Sequence, residues 1–98
     1  MSEVVYKFEE GKDHNRFAAY VDAVEAGEVT YSSAGDNILI IDHTYVDENY
    51  RGMDIAVQLV KHVVDLAIED NKKIIPLCPF ARREFNNKPE YQKIEYKG

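Results

Sequence analysis

The chain has 98 residues, 45% hydrophobic and 31% charged, with a formal net charge of −6. That length suits one domain spanning 1–98 with a modest core, and the acidic balance argues against a nucleic-acid partner, whose binding rests on clustered positive charge. The single cysteine, Cys78, precludes an intrachain disulfide, no run reaches ~18 apolar residues, and the N-terminal MSEVVYKFEEGK lacks a signal-peptide pattern, so the expected location is cytoplasmic with no membrane partner.

Val4-Val5-Tyr6-Lys7-Phe8 reads as a first strand, closed by the turn-forming Glu9-Glu10-Gly11-Lys12-Asp13. Arg16 to Val24 comes next, with Phe17, Ala19, Val21 and Ala23 on one face at period two. Its alanines would also suit a helix. The Glu25-Ala26-Gly27-Glu28 turn and the alternating Val29-Thr30-Tyr31-Ser32-Ser33 favour a hairpin. Ala34-Gly35-Asp36-Asn37 is a second turn, rich in residues that tolerate positive φ. The apolar run opening Ile38 to Val46 predicts a central strand buried on both faces. The first half is therefore an antiparallel meander.

The second half changes period. Ile55, Ala56, Leu59, Val60, Val63, Val64 and Ala67 recur at three and four, with Gln58, Lys61, Asp65 and Glu69 opposite. This predicts a helix of about four turns, ending near Asp70-Asn71. Lys72 to Cys78 reads as a short strand and Phe80 to Asn86 as a short helix, with Pro89 breaking the chain after it. The basic pairs Lys72-Lys73 and Arg82-Arg83 read as solvated surface. The expected fold is α+β, ordered β-β-β-β-α-β-α, with a mixed, mostly antiparallel sheet. Its βαβ unit makes the last two strands parallel neighbours.

In such a unit, ligands gather beyond the C-terminal end of the strand, and the helix N-terminus offers free N–H groups and a positive dipole end. Val46 to Asp54 is that loop here, and Gly52 lets it turn tightly. The residues alone support either a phosphate site or a plain connection.

The element order, the Arg51-Gly52-Met53-Asp54-Ile55-Ala56 loop and the downstream Pro76-Leu77-Cys78-Pro79-Phe80 resemble the GNAT superfamily of acetyl-CoA-dependent N-acetyltransferases. The Asp42-His43-Thr44-Tyr45-Val46 strand end and Lys88-Pro89-Glu90-Tyr91 resemble its minimal members. The family's pyrophosphate loop has the pattern Q/R-x-x-G-x-G/A; Arg51 and Ala56 match it, and Asp54 replaces the middle glycine. The resemblance implies acetyl-CoA as co-substrate, its pyrophosphate held by backbone N–H groups of Arg51, Gly52, Met53, Asp54, Ile55 and Ala56. It implies that the pantetheine arm pairs with backbone near Thr44 and Val46, where two strands splay apart, and that Phe80 and Phe85 line the rest.

Asp54 is the departure. As an N-cap, its carboxylate would accept from the donors a pyrophosphate needs, a bond worth about 1 kcal/mol. Two unit charges ~5 Å apart repel by about 0.8 kcal/mol in water and about 3 kcal/mol at an effective dielectric near 20. Turned to solvent, the same side chain would leave the loop working with reduced affinity.

Acetyl transfer needs a free amine, a donor for the developing oxyanion and an acid for the leaving thiolate, or a cysteine that takes the acetyl group first. Cys78 and His43 are expected at one edge of neighbouring strands, as nucleophile and base. The plainer reading makes Cys78 a core residue and His43 a backbone partner. Tyr91 is read either as a general acid or as packing. No spacing of His, Cys and carboxylates indicates a metal. Two functions are compatible with these residues: an N-acetyltransferase acting on an amine, or a module that binds CoA, acyl-CoA or a protein without turnover because of Asp54. Either a monomer or a homodimer is compatible with the sequence.

Overall fold

A computed structural model describes residues 3–12 and 14–97, so Asp13 of the first expected turn, and Met1 and Ser2 of the N-terminal stretch, lie outside the described residues. One sheet holds β1 (Val4–Glu9), β2 (Asn15–Val21), β3 (Val24–Ser33), β4 (Ile38–Val46) and β5 (Lys73–Pro76) in that order. Pairing is antiparallel from β1 to β4, whereas β5 runs parallel to β4. The helices are α1 (Ile55–Glu69), α2 (Pro79–Asn87) and α3 (Pro89–Gln92). This is the expected α+β order with one helix added. Pro89 opens α3 rather than ending structure, because a proline has its φ preset and needs no hydrogen-bond partner at a first helical position.

The apolar stripe of α1 decides where the core lies. Ile55, Leu59, Val60, Val63, Val64 and Ala67 are buried against Ala19, Val29, Tyr31, Leu39 and Ile41 of the sheet. Each large side chain so buried contributes about 1.5–3 kcal/mol. Asn71 takes a left-handed φ of 57° and Lys72 N–H donates to Ala67 O at 2.7 Å, ending the helix where its stripe ends. Among the described residues, no helix is long and apolar enough to cross a membrane.

The other face of the sheet is polar, so β4 is not buried on both sides as expected; Ile38 and Ile40 are only half-buried. Arg16 there meets Glu9 at 2.6 Å, Glu25 at 3.0 Å and Glu28 at 2.8 Å. The hydrogen bonds it donates to Glu25, then to Glu28, raise the guanidinium pKa further. The Tyr20 hydroxyl and then Arg16 hold the Glu9 carboxyl below its usual range.

The β2–β3 turn is displaced from its expected position. It lies at Asp22-Ala23, with φ of 51° and 69°, and β3 runs straight through Glu25 to Glu28. Ala26 is the extra residue of a bulge, since Ala19 pairs with Gly27 and Tyr20 with Glu25. Gly27 serves a different need: a Cβ there would lie 2.6 Å from the Tyr45 carbonyl oxygen. Glycine is required by the close approach of β4, not by a turn.

These two positions respond oppositely to substitution. Gly27→Ala should lower the unfolding free energy by about 1–3 kcal/mol through overpacking, while Ala23→Gly should raise it by about 1 kcal/mol by relieving a left-handed alanine. Urea denaturation of both variants measures this; a neutral Gly27→Ala would contradict the close approach.

Candidate active site

β4 and β5 stay paired only as far as Ile41 and Pro76. The Ile41 carbonyl then accepts from both Leu77 N–H at 3.1 Å and Cys78 N–H at 3.2 Å. Beyond that point β4 continues to Val46, still paired with β3 through Gly27, while the other chain turns into α2. A wedge opens between them, beside the N-terminus of α1.

A bulge decides which side chains face the wedge. Tyr31 pairs with Ile41 and Thr30 with His43, so Asp42 is inserted between them, and its carboxylate accepts from the Ser32 hydroxyl at 3.0 Å. The insertion reverses the alternation of β4. Thr44 therefore lies opposite buried Val29, on the core face with Ile41, and its Oγ1 sits 3.3 Å from Cys78 Sγ. His43 falls on the other face, exposed, with its ring stacked on Tyr45 at 6.4 Å. The expected Cys78–His43 pair is not made, because the inserted residue turns the histidine away.

Cys78 is 7% exposed and caps α2, its sulfur accepting from Ala81 N–H at 3.4 Å. Phe80 is half-buried and lines the cleft. Phe85, expected beside it, is 0% exposed and packs on Tyr91 with ring centroids 5.3 Å apart, so it belongs to the core. Tyr91 is a packing residue: it is buried, carries Lys88 Nζ over its ring at 5.1 Å, and burial raises its hydroxyl pKa.

The loop into α1 is built locally. The Asp47 carboxylate accepts from Asn49 N–H at 2.9 Å, closing a 3₁₀ turn over Glu48–Tyr50. Gly52 (φ 90°) and Asp54 (φ 59°) are both left-handed. Asp54 thus adopts a conformation that glycine takes freely and that aspartate tolerates better than most residues. Its exposed carboxylate makes no capping bond, so the expected competitor for the helix donors is absent. The first bond of α1 runs from Gln58 N–H to Asp54 O at 3.1 Å. The N–H groups of residues 55–57 point out of the helix end, as at any N-terminus.

A cleft of about 190 Å³ adjoins that end, lined by Val46, Tyr50, Arg51, Asp54, Ile55 and Phe80. Met53 is exposed and lies outside the lining. A broader depression of about 840 Å³ lies over β1 and β2, far along the sheet from these donors, and has no helix terminus in its lining. The chemistry favours the smaller cleft. Among the described residues, no group of three or more His, Cys, Asp or Glu is arranged to hold a metal ion. Sequence reasoning missed Tyr50 as a lining residue and Thr44 as the side-chain neighbour of Cys78. The adjacent polar Asp42 and His43, breaking an apolar strand, were the available signal of the bulge.

A profile of the GCN5-related N-acetyl-transferase family matches residues 16–94. The chain belongs to that family. It is 31% identical over 65 residues to Protein NATD1 of Danio rerio, a match covering 66% of this chain and 59% of that protein. The NMR structure of a GCN5-like protein from Staphylococcus aureus superposes with a TM-score of 0.71 at 29% identity, covering 94% of this chain and 89% of that one. A GNAT acetyltransferase from Elizabethkingia anophelis, solved with acetyl-CoA bound, shares the fold with a TM-score of 0.60 at 16% identity, covering 76% and 52% of the two chains.

Because His43 lies away from the sulfur, His43→Ala should leave the rate of Cys78 alkylation by iodoacetamide within about twofold of wild type. Mass spectrometry of the modified protein over time reads this rate; a fall of about tenfold or more would return His43 to the site.

Proposed function

We propose that this chain binds acetyl-CoA at the wedge between β4 and β5 and transfers the acetyl group to an amine. The observation that carries the reading is the coincidence of three features: β4 outrunning its partner, the α1 N-terminus beside it, and Asp54 turned away from the helix donors. Backbone from Arg51 to Ala56, with Gly52, Met53, Asp54 and Ile55 between, would hold the pyrophosphate through N–H groups and the helix dipole. The backbone of Thr44 and Val46, unpaired on the β5 side, would pair with the pantetheine amides, and Phe80 would wall the arm. Bound there, acetyl-CoA supplies a thioester carbonyl open to attack.

Cys78 is the chain's own nucleophile candidate. Its sulfur would form a bond to the acetyl carbon as the bond to CoA sulfur breaks, with the thiol proton ending on CoA. An amine then displaces Cys78, and one amine proton returns to the sulfur. Thr44 and Ala81 hold that sulfur at the wedge.

One observation favours a second reading, in which the chain holds CoA or an acyl-CoA without turnover. Among the described residues, the hydrogen-bond partners of Cys78 Sγ are a hydroxyl and a backbone N–H, and neither is a base. Intact-mass analysis after incubation with acetyl-CoA separates the two: acetylated Cys78, or acetyl transfer to an added amine, supports the enzyme.

Calorimetric titration with acetyl-CoA tests both at once. Saturable binding in the micromolar range is expected, and Asp54→Gly should tighten it by about fourfold, the effect of removing one exposed like charge ~5 Å from the pyrophosphate. No heat up to millimolar ligand, in wild type and variant alike, would overturn the cofactor reading.

A further inference from the structure

The two edges of the sheet are treated differently. At β5, the chain returns over the edge: Ile74 N–H donates to Ile94 O at 2.8 Å and Tyr96 N–H to Ile74 O at 2.8 Å, with Ile74 bridged in parallel to Glu95. At the other end of the strand order, among the described residues, β1 pairs with β2 and has no strand partner on its outer side. Its described residues carry no proline and its register with β2 shows no bulge, so it lacks two common devices that blunt an edge. Val5 is 47% exposed on its solvent face and Phe8 is 52% exposed at its end.

We propose that β1 pairs antiparallel with β1 of a second copy of this chain, about a two-fold axis through Val5. Registers that keep the core faces aligned are those centred on a residue, since a shift of one swaps faces. Centring on Lys7 would set two lysines opposite each other. Centring on Tyr6 would set Glu3 against Glu9 of the second copy. Centring on Val5 places Val5 against Val5, and Glu3 against Lys7 on both sides of it. The apolar pair and two opposite-charge pairs then share the solvent face. On the core face, Val4 meets Tyr6, and both already pack against the core cluster within their own chains.

The covered β5 edge limits the assembly. A strand pairing that used two different edges would propagate, whereas one free edge per chain closes at two. The dimer is a continuous ten-stranded sheet, five strands from each copy, with both α1 helices on the same side. The wedge between β4 and β5 lies at the far end of each sheet, so this pairing and acetyl-CoA binding are independent.

Lys7 is in place for this role. Its Nζ lies 5.5 Å from the Tyr20 ring centroid, on the face that carries Val5 and Glu9.

Sedimentation velocity of the full chain between about 10 μM and about 1 mM should show a dimer whose fraction rises with concentration, the range expected for a small interface. Lys7→Glu, which sets two carboxylates opposite each other at the Glu3 pairing, should shift the midpoint upward by about tenfold or more. The double variant Glu3→Lys/Lys7→Glu restores opposite charges and should bring it back to within about threefold of wild type. Far-ultraviolet circular dichroism checks that each variant is folded. A wild-type monomer throughout this range would overturn the proposal. So would a dimer that Lys7→Glu leaves intact, or one that the charge swap does not rescue.

Discussion

One carbonyl oxygen closes the ladder between the parallel strands. The Ile41 carbonyl takes both Leu77 N–H and Cys78 N–H, and the β4–β5 register among the described residues ends there. Everything at the candidate site depends on that ending. β4 keeps its direction because β3 still pairs with it, and the other chain leaves because Pro79 starts α2 directly after Cys78. The gap between them is held open by two rigid elements rather than by a loop, which is how a site keeps its geometry before a ligand arrives.

The bulge at Asp42 acts on the same strand and divides its side chains between two roles. Without an inserted residue, the odd-numbered side chains would all share the face of Leu39 and Ile41, and His43 would accompany them. With it, Thr44 meets Cys78 inside while His43 and Tyr45 stack outside. A single extra residue thus exchanges a Cys–His neighbourhood for a Cys–Thr one. This changes the chemistry open to the thiol, since a hydroxyl can orient a sulfur but is a poor base for it.

At Asp54, side-chain identity and backbone conformation give different answers. As a residue type it looks like a competitor for the helix donors. As a backbone unit it holds the left-handed turn that lets the chain enter α1, and its carboxylate stays in solvent. The left-handed φ is also why the side chain caps nothing, since a capping residue ordinarily has extended backbone that aims its oxygen at the first N–H groups.

Much of this architecture was legible in the residues. The period-two alternation of β2, the turn at Ala34 to Asn37, the period of α1 and the crossover to β5 are local patterns, and each reflects which face must leave water. The family resemblance of the Arg51–Ala56 loop was legible for the same reason: it is a contiguous string. The features that stayed hidden depended on partners distant in the chain. Gly27 read as a turn residue because a glycine does not reveal whether it is needed for φ or for space; the Tyr45 carbonyl supplies the answer. Phe85 and Phe80 are indistinguishable as letters, yet one is enclosed by Tyr91 and the core while the other lines the cleft. The side of the sheet that His43 occupies depends on a one-residue mismatch between β3 and β4, which no single strand contains. Sequence alone determined the five strands, α1, α2, their order and the loop, because hydrophobic period and turn chemistry are written along the chain. Only the tertiary structure decided which side chains meet, because register and bulges are properties of two strands at once.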